Sequence, residues 1–307
     1  MSEPKPRTFI LWRIVDGRSG HDNQSRGLAR ALGLLAPCLC HNIRAGDLRF
    51  GLMYLALRRY PPGEGLPDPD LIIGAGHATH LSLLCAKRAR GGRTVVIMKP
   101  GLPLSWFDVC LIPEHDEPPP HPRVCITRGA LTALSGGGIH APDQGVILVG
   151  GPSRHCRWDN DSLLAQIRTI LECQPRVTWH ITDSPRTPPA TRAALDLLKY
   201  PNGKFISHKN TDSDWVSVKL SASGSAWVSA DSLSMIYESL SSGAATGVLS
   251  VPTEADSKIG RSVEALRKKG MITCFADWDR GARLTPPAET LNEAERCARF
   301  LLDGLGR

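Results

Sequence analysis

Residues Ser225–Pro252 read SAWVSADSLSMIYESLSSGAATGVLSVP. Ala226–Ser229 is a short apolar run of strand type. Asp231 and Ser232 offer oxygens for a helix N-cap, and Leu233, Ile236, Tyr237 and Leu240 recur at the spacing of one helix face. Gly243 ends that helix, because only glycine enters the left-handed cap without a steric cost. Val248–Val251 is the next strand, closed by Pro252. The stretch therefore predicts a β-α-β unit. Its helix starts among small hydroxyl residues, where backbone N–H groups and the helix dipole favour phosphate. Glu238, about two turns on, is placed to accept hydrogen bonds from ribose hydroxyls. As part of an ordinary α/β repeat it would be a surface glutamate.

The residues around this unit repeat its rhythm. Strands are expected at Val146–Val149, Val177–Thr182, Lys204–Ser207 and Met271–Phe275, with helices through Leu163–Leu171 and Ala193–Leu198. Asp159–Asp161 can cap the first of those helices, and a last helix is expected over 288–304. Upstream, Phe9–Val15, Leu71–Gly76, Thr94–Lys99, Val109–Pro113 and Val124–Thr127 read as strands, with helices over Asn23–Leu34 and His77–Arg90. Strands alternating with helices at this spacing make parallel sheets covered on both faces. At 307 residues the chain exceeds the usual size of a single core, so two domains are expected. The glycine run at Ser135–His140 supplies a boundary: 1–140 and 141–307, with helix 288–304 free to pack back on the first part. The fold class is α/β, two Rossmann-like domains facing across a cleft.

No stretch holds the ~18 uninterrupted apolar residues of a membrane span, and the start, MSEPKPRT, lacks the apolar core of a secretory signal. Nine cysteines without a C-x-x-C pair suggest reduced thiols in a cytosolic compartment and no zinc site. Cys38 and Cys40, the closest pair, are expected to point to opposite faces of a strand. The net charge of +7 is uneven: residues 1–140 hold 17 Lys and Arg against 11 Asp and Glu, residues 141–307 hold 20 against 19. A basic first half suits an anionic membrane surface or an anionic acceptor. Without a long basic run or a recognisable binding module, nucleic acid is not expected. Leu48–Tyr60, LRFGLMYLALRRY, is apolar with Arg49, Arg58 and Arg59 close by. It reads either as an interfacial helix or as a core helix with a solvated basic end.

Two loops carry the chemistry. Asp16-Gly-Arg-Ser-Gly-His21 joins the first strand to the first helix, where a glycine turn brings backbone close to a ligand. His21 sits there at the carboxyl edge of the sheet, as a proton acceptor or merely as a cap. Gly74-x-Gly76 is a poor dinucleotide fingerprint, because the third glycine position is Thr79 and no acidic residue follows at the right distance. An NAD-dependent oxidoreductase or epimerase is therefore not expected.

Five blocks in order, DGRSGHDNQSRGLARAL (Asp16–Leu32), PDLIIGAGHATHLSLLCAKRARGGRTVVIMKP (Pro69–Pro100), FDVCLIPEHD (Phe107–Asp116), VGGPSRHCRWD (Val149–Asp159) and VSADSLSMIYE (Val228–Glu238), resemble the plant mitochondrial-fission (elongated-mitochondria) family and its bacterial relatives, described as glycosyltransferases. The layout is also distantly similar to the GT-B enzyme that adds N-acetylglucosamine to the lipid-linked peptidoglycan precursor. There a glycine turn ending in His follows the first strand, a second glycine turn follows a PD-plus-apolar strand, and a GGS-type loop opens the second domain. Here those features are GRSGH, PDLIIGAGH and Gly150-Gly-Pro-Ser153. Glu238 matches by position the acidic residue that holds the donor ribose. The Gln-rich sugar-recognition segment of that enzyme is replaced by TEADSK (Thr253–Lys258), so the donor sugar does not carry over.

The resemblance implies a cytoplasmic glycosyltransferase, peripheral on the inner face of the membrane. It would take a nucleotide-sugar donor and a lipid-linked or envelope-glycan acceptor, with no other cofactor. His21 is expected as the base, oriented by Asp16 or by Asp22. Gly150, Gly151, Ser153, Arg154, Arg157, Asp231, Ser232, Ser234 and Glu238 are expected on the donor, with Arg154 and Arg157 otherwise plain surface arginines. Arg18, Gly76, His77 and Lys99 are expected at the acceptor. No D-x-D pair calls for a metal. The rival reading is a non-catalytic adaptor on a membrane surface, as the plant fission factors imply.

Overall fold

The computed structural model describes residues 8–46, 51–134, 138–153, 156–212, 214–253 and 257–305. Residues 135–137 of the glycine run chosen as a boundary, the first three residues of the basic apolar helix, Arg154, and the middle of TEADSK lie outside the described residues. The chain divides into two compact units, Met1–Ala133 with Glu293–Arg307, and Leu134–Asn292.

In chain order the first unit contains β1 (Phe9–Val15), α1 (Ser19–Leu35), β2 (Cys38–Arg44), α2 (Gly51–Leu57), β3 (Leu71–Ala75), α3 (His80–Arg90), β4 (Arg93–Ile97), β5 (Val109–Pro113) and β6 (Val124–Thr127). The second contains β7 (Ala141–Leu148), α4 (Asn160–Cys173), β8 (Thr178–Thr182), α5 (Pro189–Asp196), β9 (Gly203–Ile206), α6 (Trp215–Ala222), β10 (Ser223–Ser229), α7 (Leu233–Ser242), β11 (Ala245–Leu249), α8 (Lys258–Lys268) and β12 (Thr273–Cys274). The last helix, α9 (Glu293–Leu305), belongs to the first unit.

Among the described residues each unit is built on one six-stranded parallel sheet, ordered β2-β1-β3-β4-β5-β6 and β12-β11-β10-β7-β8-β9. The first sheet is apolar on both faces because alternate residues serve two cores. Leu11, Leu71, Ile73, Val95 and Leu111 pack with Leu28 and Leu32 of α1 and with Cys297 and Leu301 of α9. Trp12, Ile72, Val96 and Ile112 pack on the other side with Leu83 of α3 and Phe107. Each such side chain contributes ~1.5–3 kcal/mol, which is why a run like Leu71–Ala75 is buried at every position. In the second sheet two glycines make room for indoles. Gly145 pairs with Trp179 and Gly247 with Trp227, and a Cβ on either glycine would come within 2.4 Å of the ring.

Several boundaries differ from the sequence reading. β2 is an additional edge strand, overlooked because only Ile43 is buried in it. Cys38 and Cys40, two positions apart, share one face of it, contrary to expectation, since a strand repeats every second residue. α5 starts earlier than expected, with Pro189 in the first turn, where the missing N–H costs nothing. α6 and α8 are also additional; Ser257 caps α8 by accepting from Gly260 N at 3.0 Å. Asp159 caps α4 through Ser162 N, as its position suggests. Among the described residues no helix is long and apolar enough to cross a membrane.

Each sheet reverses its strand order once, between β1 and β3 in the first and between β7 and β10 in the second. At such a point the loops leaving neighbouring strands diverge, and the carboxyl edge opens into a crevice. The Asp16–His21 loop leaves β1 and the Gly150–Ser153 loop leaves β7.

Candidate functional site

In the first unit the turn after β1 is set by Gly17, whose φ of +79° only glycine adopts freely. Asp16 then closes the turn on itself: Oδ1 accepts from Arg18 N at 3.1 Å, and Oδ2 lies 2.8 Å from His21 Nδ1. α1 begins at Ser19, four residues earlier than expected, so His21 and Asp22 occupy its first turn. The ring of His21 rests on Gly76 in the loop after β3, where a Cβ would come within 2.2 Å of it. Gly76 is thus required by the protein's own imidazole. Burial works against ionisation of Asp16, but the hydrogen bond from His21 and the amide of Arg18 hold its carboxyl below the usual range. An ionised carboxylate can only accept, so Nδ1 carries the hydrogen, and in the neutral ring Nε2 is then the nitrogen with the lone pair. That is the tautomer of a general base. Asp16, not Asp22, is the oxygen at the ring; Asp22 Oδ1 is buried without a partner.

Of the acceptor-side residues, His77 and Gly76 are at this edge. The ring of His77 rests on Gly101 after β4, where a Cβ would fall 2.9 Å from its Nε2. Arg18 is exposed at the helix start, with no side-chain cap bond. Lys99 is committed to another loop, donating to the carbonyls of Asp116 at 3.1 Å and Glu117 at 3.5 Å. Gly74 serves packing: a Cβ there would meet Thr79, whose hydroxyl donates to Gly76 O at 2.8 Å.

In the second unit the loop after β7 meets the end of β10. Gly150 N donates to Ser229 Oγ at 2.8 Å and Gly151 N to Asp231 Oδ2 at 3.1 Å. Ser229 Oγ in turn donates to Asp231 Oδ1 at 2.6 Å. Both glycine amides, assigned above to a leaving diphosphate, are therefore spent on internal acceptors. The glycines are needed for close approach within the chain: a Cβ on Gly150 would strike the Asp231 carboxylate, and one on Gly151 the carbonyl of Arg186, each at 2.2 Å. Asp231 is likewise withdrawn, its side chain fully buried and paired with Arg186 Nη2 at 2.8 Å. It does not cap α7. The N-cap is Ser232, without a side-chain bond to the first amides, and Ser234 is exposed in the first turn. Ser153 bridges to Cys156, and Cys156 to Thr253. Arg157 is exposed and anchored by its amide to Pro252 O at 2.9 Å. Glu238 is half-buried on α7, between the buried Tyr237 and Ser239.

Five residues at this edge were missed: Arg186, Thr187, Asp183, Arg192 and His208. Arg186 sits over the Gly150–Gly151 turn, donating to Gly151 O at 3.1 Å as well as to Asp231. Thr187 fixes its loop by donating to the carbonyls of Val149 and Gly150. Asp183 is fully buried between Arg192 and His208, accepting from His208 N at 2.6 Å. Burial opposes its ionisation, but those partners hold its carboxyl low. The run TDSPRTPP after the strand at Val177–Thr182 was the available signal, an acid and a base at a carboxyl edge.

The sequence also contains one Tyr-x-x-x-Lys spacing, at Tyr200 and Lys204. It runs from the turn before β9 into that strand, and Tyr200 Oη donates to Glu172 Oε1 at 2.6 Å, so the two residues share no helix.

Residues 19–305 match the family described as Mitochondrial fission ELM1. An uncharacterised protein of Rickettsia prowazekii, RP120, is 33% identical over 115 residues, covering 34% of this chain and 32% of that protein. The match thus spans about a third of the length of that curated relative. Among solved structures, a protein of Listeria monocytogenes assigned as a UDP-N-acetylglucosamine 2-epimerase superposes with a TM-score of 0.62 at 12% identity, over 97% of this chain and 96% of that one. MurG of Acinetobacter baumannii does so with a TM-score of 0.51 at 13% identity, over 98% and 99%. Likeness at this identity is likeness of fold: two Rossmann-like units of the GT-B type.

Proposed function

The chain belongs to the mitochondrial fission ELM1 family, and from that premise we propose that it is a glycosyltransferase transferring a sugar from a nucleotide-diphosphate donor to a lipid-linked or envelope-glycan acceptor at an anionic membrane surface. The observation that carries the reading is the Asp16–His21 pair seated on Gly76 at the strand reversal of the first unit. In the reaction the acceptor hydroxyl oxygen bonds to the anomeric carbon and gives its proton to His21 Nε2. The bond from that carbon to the diphosphate breaks, and the diphosphate leaves with the electron pair. Asp16 stabilises the imidazolium that forms. Charge on the leaving group falls to the uncapped start of α7, with Arg157, Arg154 and Arg186 as cations, while Glu238 holds the ribose. The proposed chemistry is metal-independent and uses no cofactor beyond the donor.

A second reading, a membrane-surface adaptor that keeps the fold without the reaction, is favoured by the family's description and by the exposed apolar side of α2. A third comes from the fold of the Listeria protein. The poor dinucleotide fingerprint at Gly74-x-Gly76 speaks only against an NAD-dependent epimerase. One experiment separates them. A thermal-shift screen of nucleotide diphosphates and their sugars is followed by product analysis with and without a glycan-lipid acceptor. Binding with acceptor-dependent loss of the donor supports transfer. An altered donor sugar without acceptor assigns epimerisation, and no shift with any nucleotide leaves the adaptor.

A further inference from the structure

One face of the second sheet carries three basic side chains beside α6. His180 of β8 and Lys204 of β9 are register partners in parallel strands, so both stand on the same face. Lys219 of α6 meets them there, its Nζ 3.0 Å from His180 Nε2. An ammonium has only hydrogens to give, so Nε2 accepts and His180 is neutral while this pair stands. Trp215, one turn earlier on α6, walls the cluster. Its ring lies 6.5 Å from that of His180, edge to face, and 5.8 Å from Lys219 Nζ. On its other side His180 has Val146 of β7 as register partner, which brings no charge. Asp212 and Asp214 precede α6, but among the described residues no ion pair joins a carboxylate to Lys204 or Lys219.

Other half-buried cations of this chain are matched by acids, Lys87 by Asp108 and Arg192 by Asp183. Here an ammonium meets an imidazole, and a second ammonium stands on the adjoining strand. Burial, and then Lys219 and Lys204, lower the His180 imidazole. Lys204 is exposed, and His180, Trp215 and Lys219 are only half-buried, so an ion from solution can reach the charge. The geometry points to an anion site at which His180, Lys204 and Lys219, walled by Trp215, bind the phosphate group of a phosphate ester. Lysines hold phosphate as point charges, and donors approaching from two strands and a helix suit its three terminal oxygens. With the anion in place, Lys219 turns its hydrogens to one oxygen, and Nε2 of His180, once protonated, donates to another. Anion binding and proton uptake by His180 therefore favour each other. α6 runs directly into β10, whose last residue, Ser229, holds Gly150 N, so the anion fastens the helix that leads into the glycine loop's support. None of this depends on the transfer reaction.

The test uses the full chain with inorganic phosphate as the probe, at constant ionic strength set with sodium chloride. Calorimetric titration at pH 6 should show saturable binding. Lys204→Met and Lys219→Met should each weaken it by about tenfold or more, the scale of a charged hydrogen bond. Lys204 is exposed on an edge strand, so its variant decides the matter even where Lys219→Met fails to fold. The His180 ring, assigned with His180→Gln, is also titrated by NMR in chloride and in sulfate, a tetrahedral dianion of constant charge over this range. Its midpoint should rise in sulfate by about one unit, which corresponds to tenfold tighter binding by the protonated form. Vesicles of phosphatidylcholine with and without phosphatidic acid separate the two sources of a phosphate group. A gain on phosphatidic acid that Lys204→Glu abolishes assigns a lipid headgroup, and binding of free phosphate without that gain assigns a soluble ester. No saturable binding, wild-type affinity in both lysine variants, or the same His180 midpoint in the two salts would overturn the proposal.

Discussion

His21 Nδ1 lies 2.8 Å from an oxygen of Asp16, a carboxylate with only 3% of its side chain exposed. Asp16 is held below the usual carboxylate range, so the pair contributes stability above the ordinary value, ~3.9, and loses it as pH falls through the folded value. At neutral pH the carboxylate is ionised and the ring is oriented. His21→Asn should therefore lower turnover by ~10²–10⁴-fold while donor affinity stays, because a base acts in the transition state. Asp16→Asn should also lower turnover without weakening donor binding. Were His21 only a helix cap, Asn would replace it at no cost in rate. Melting temperature and turnover measured on the same His21→Asn sample decide this, and a fully active, equally stable variant ends the catalytic assignment.

Asp231 and Glu238 share one helix and its lead-in but should behave oppositely. Asp231 holds Gly151 N, Ser229 Oγ and Arg186, so Asp231→Ala leaves buried donors unmatched, at ~1–3 kcal/mol each. Glu238→Ala should cost less stability than Asp231→Ala but weaken nucleotide-diphosphate binding by ~1.5–3 kcal/mol, the range for charged hydrogen bonds. Urea unfolding and calorimetric titration of both variants check the split. Unchanged affinity in Glu238→Ala would remove that residue from the donor site.

What the sequence made legible was local. The period of Leu233, Ile236, Tyr237 and Leu240 and the glycine stop reproduce α7, with Gly243 at φ +90° in the left-handed cap. The turn that positions His21 could be read because its determinants lie within six residues. Asp231 was misread for the opposite reason. Its partner amide is 80 positions away, so nothing near it says whether the carboxylate caps a helix or is buried under a loop. The same holds for Gly150 and Gly151, whose open side is filled by the chain itself rather than kept for a ligand. Edge strand β2 escaped because exposure erases the apolar alternation that identifies a strand.

His80 is 4% exposed and packed between the rings of Phe107, at 5.5 Å, and His77, at 5.2 Å. Burial, and then the nearby His77, push its imidazole down to about 4 from 6.5. Protons binding only the unfolded chain make stability rise with pH, so this contribution is complete above 6.5 and lost as pH falls toward 4. The full loss is ~2–4 kcal/mol at 1.36 kcal/mol per unit. His80→Gln should flatten that part of the profile. Denaturant titrations between those limits, wild type against variant, test it; parallel profiles would show that His80 keeps an ordinary affinity for protons.

α2 turns Gly51 inward so tightly that a Cβ there would strike Leu81 of α3, which leaves Leu52, Met53 and Leu57 facing out. Leu52 is 75% exposed, too much for a helix whose apolar side is meant only for the core. Arg58 and Arg59 follow, both exposed, with Arg59 only loosely paired to Glu64 at 3.4 Å. An apolar ridge ending in two arginines suits the interface of an anionic bilayer, where each basic residue is worth ~1 kcal/mol. Arg58→Glu with Arg59→Glu should then weaken binding to vesicles containing phosphatidylserine by at least ~30-fold, and added salt should weaken the wild type too. Leu52→Asp should reduce binding without touching the charge at the helix end. Sedimentation with neutral and anionic vesicles provides the measurement. Equal binding to both, or none, would leave α2 as a core helix with a solvated basic end.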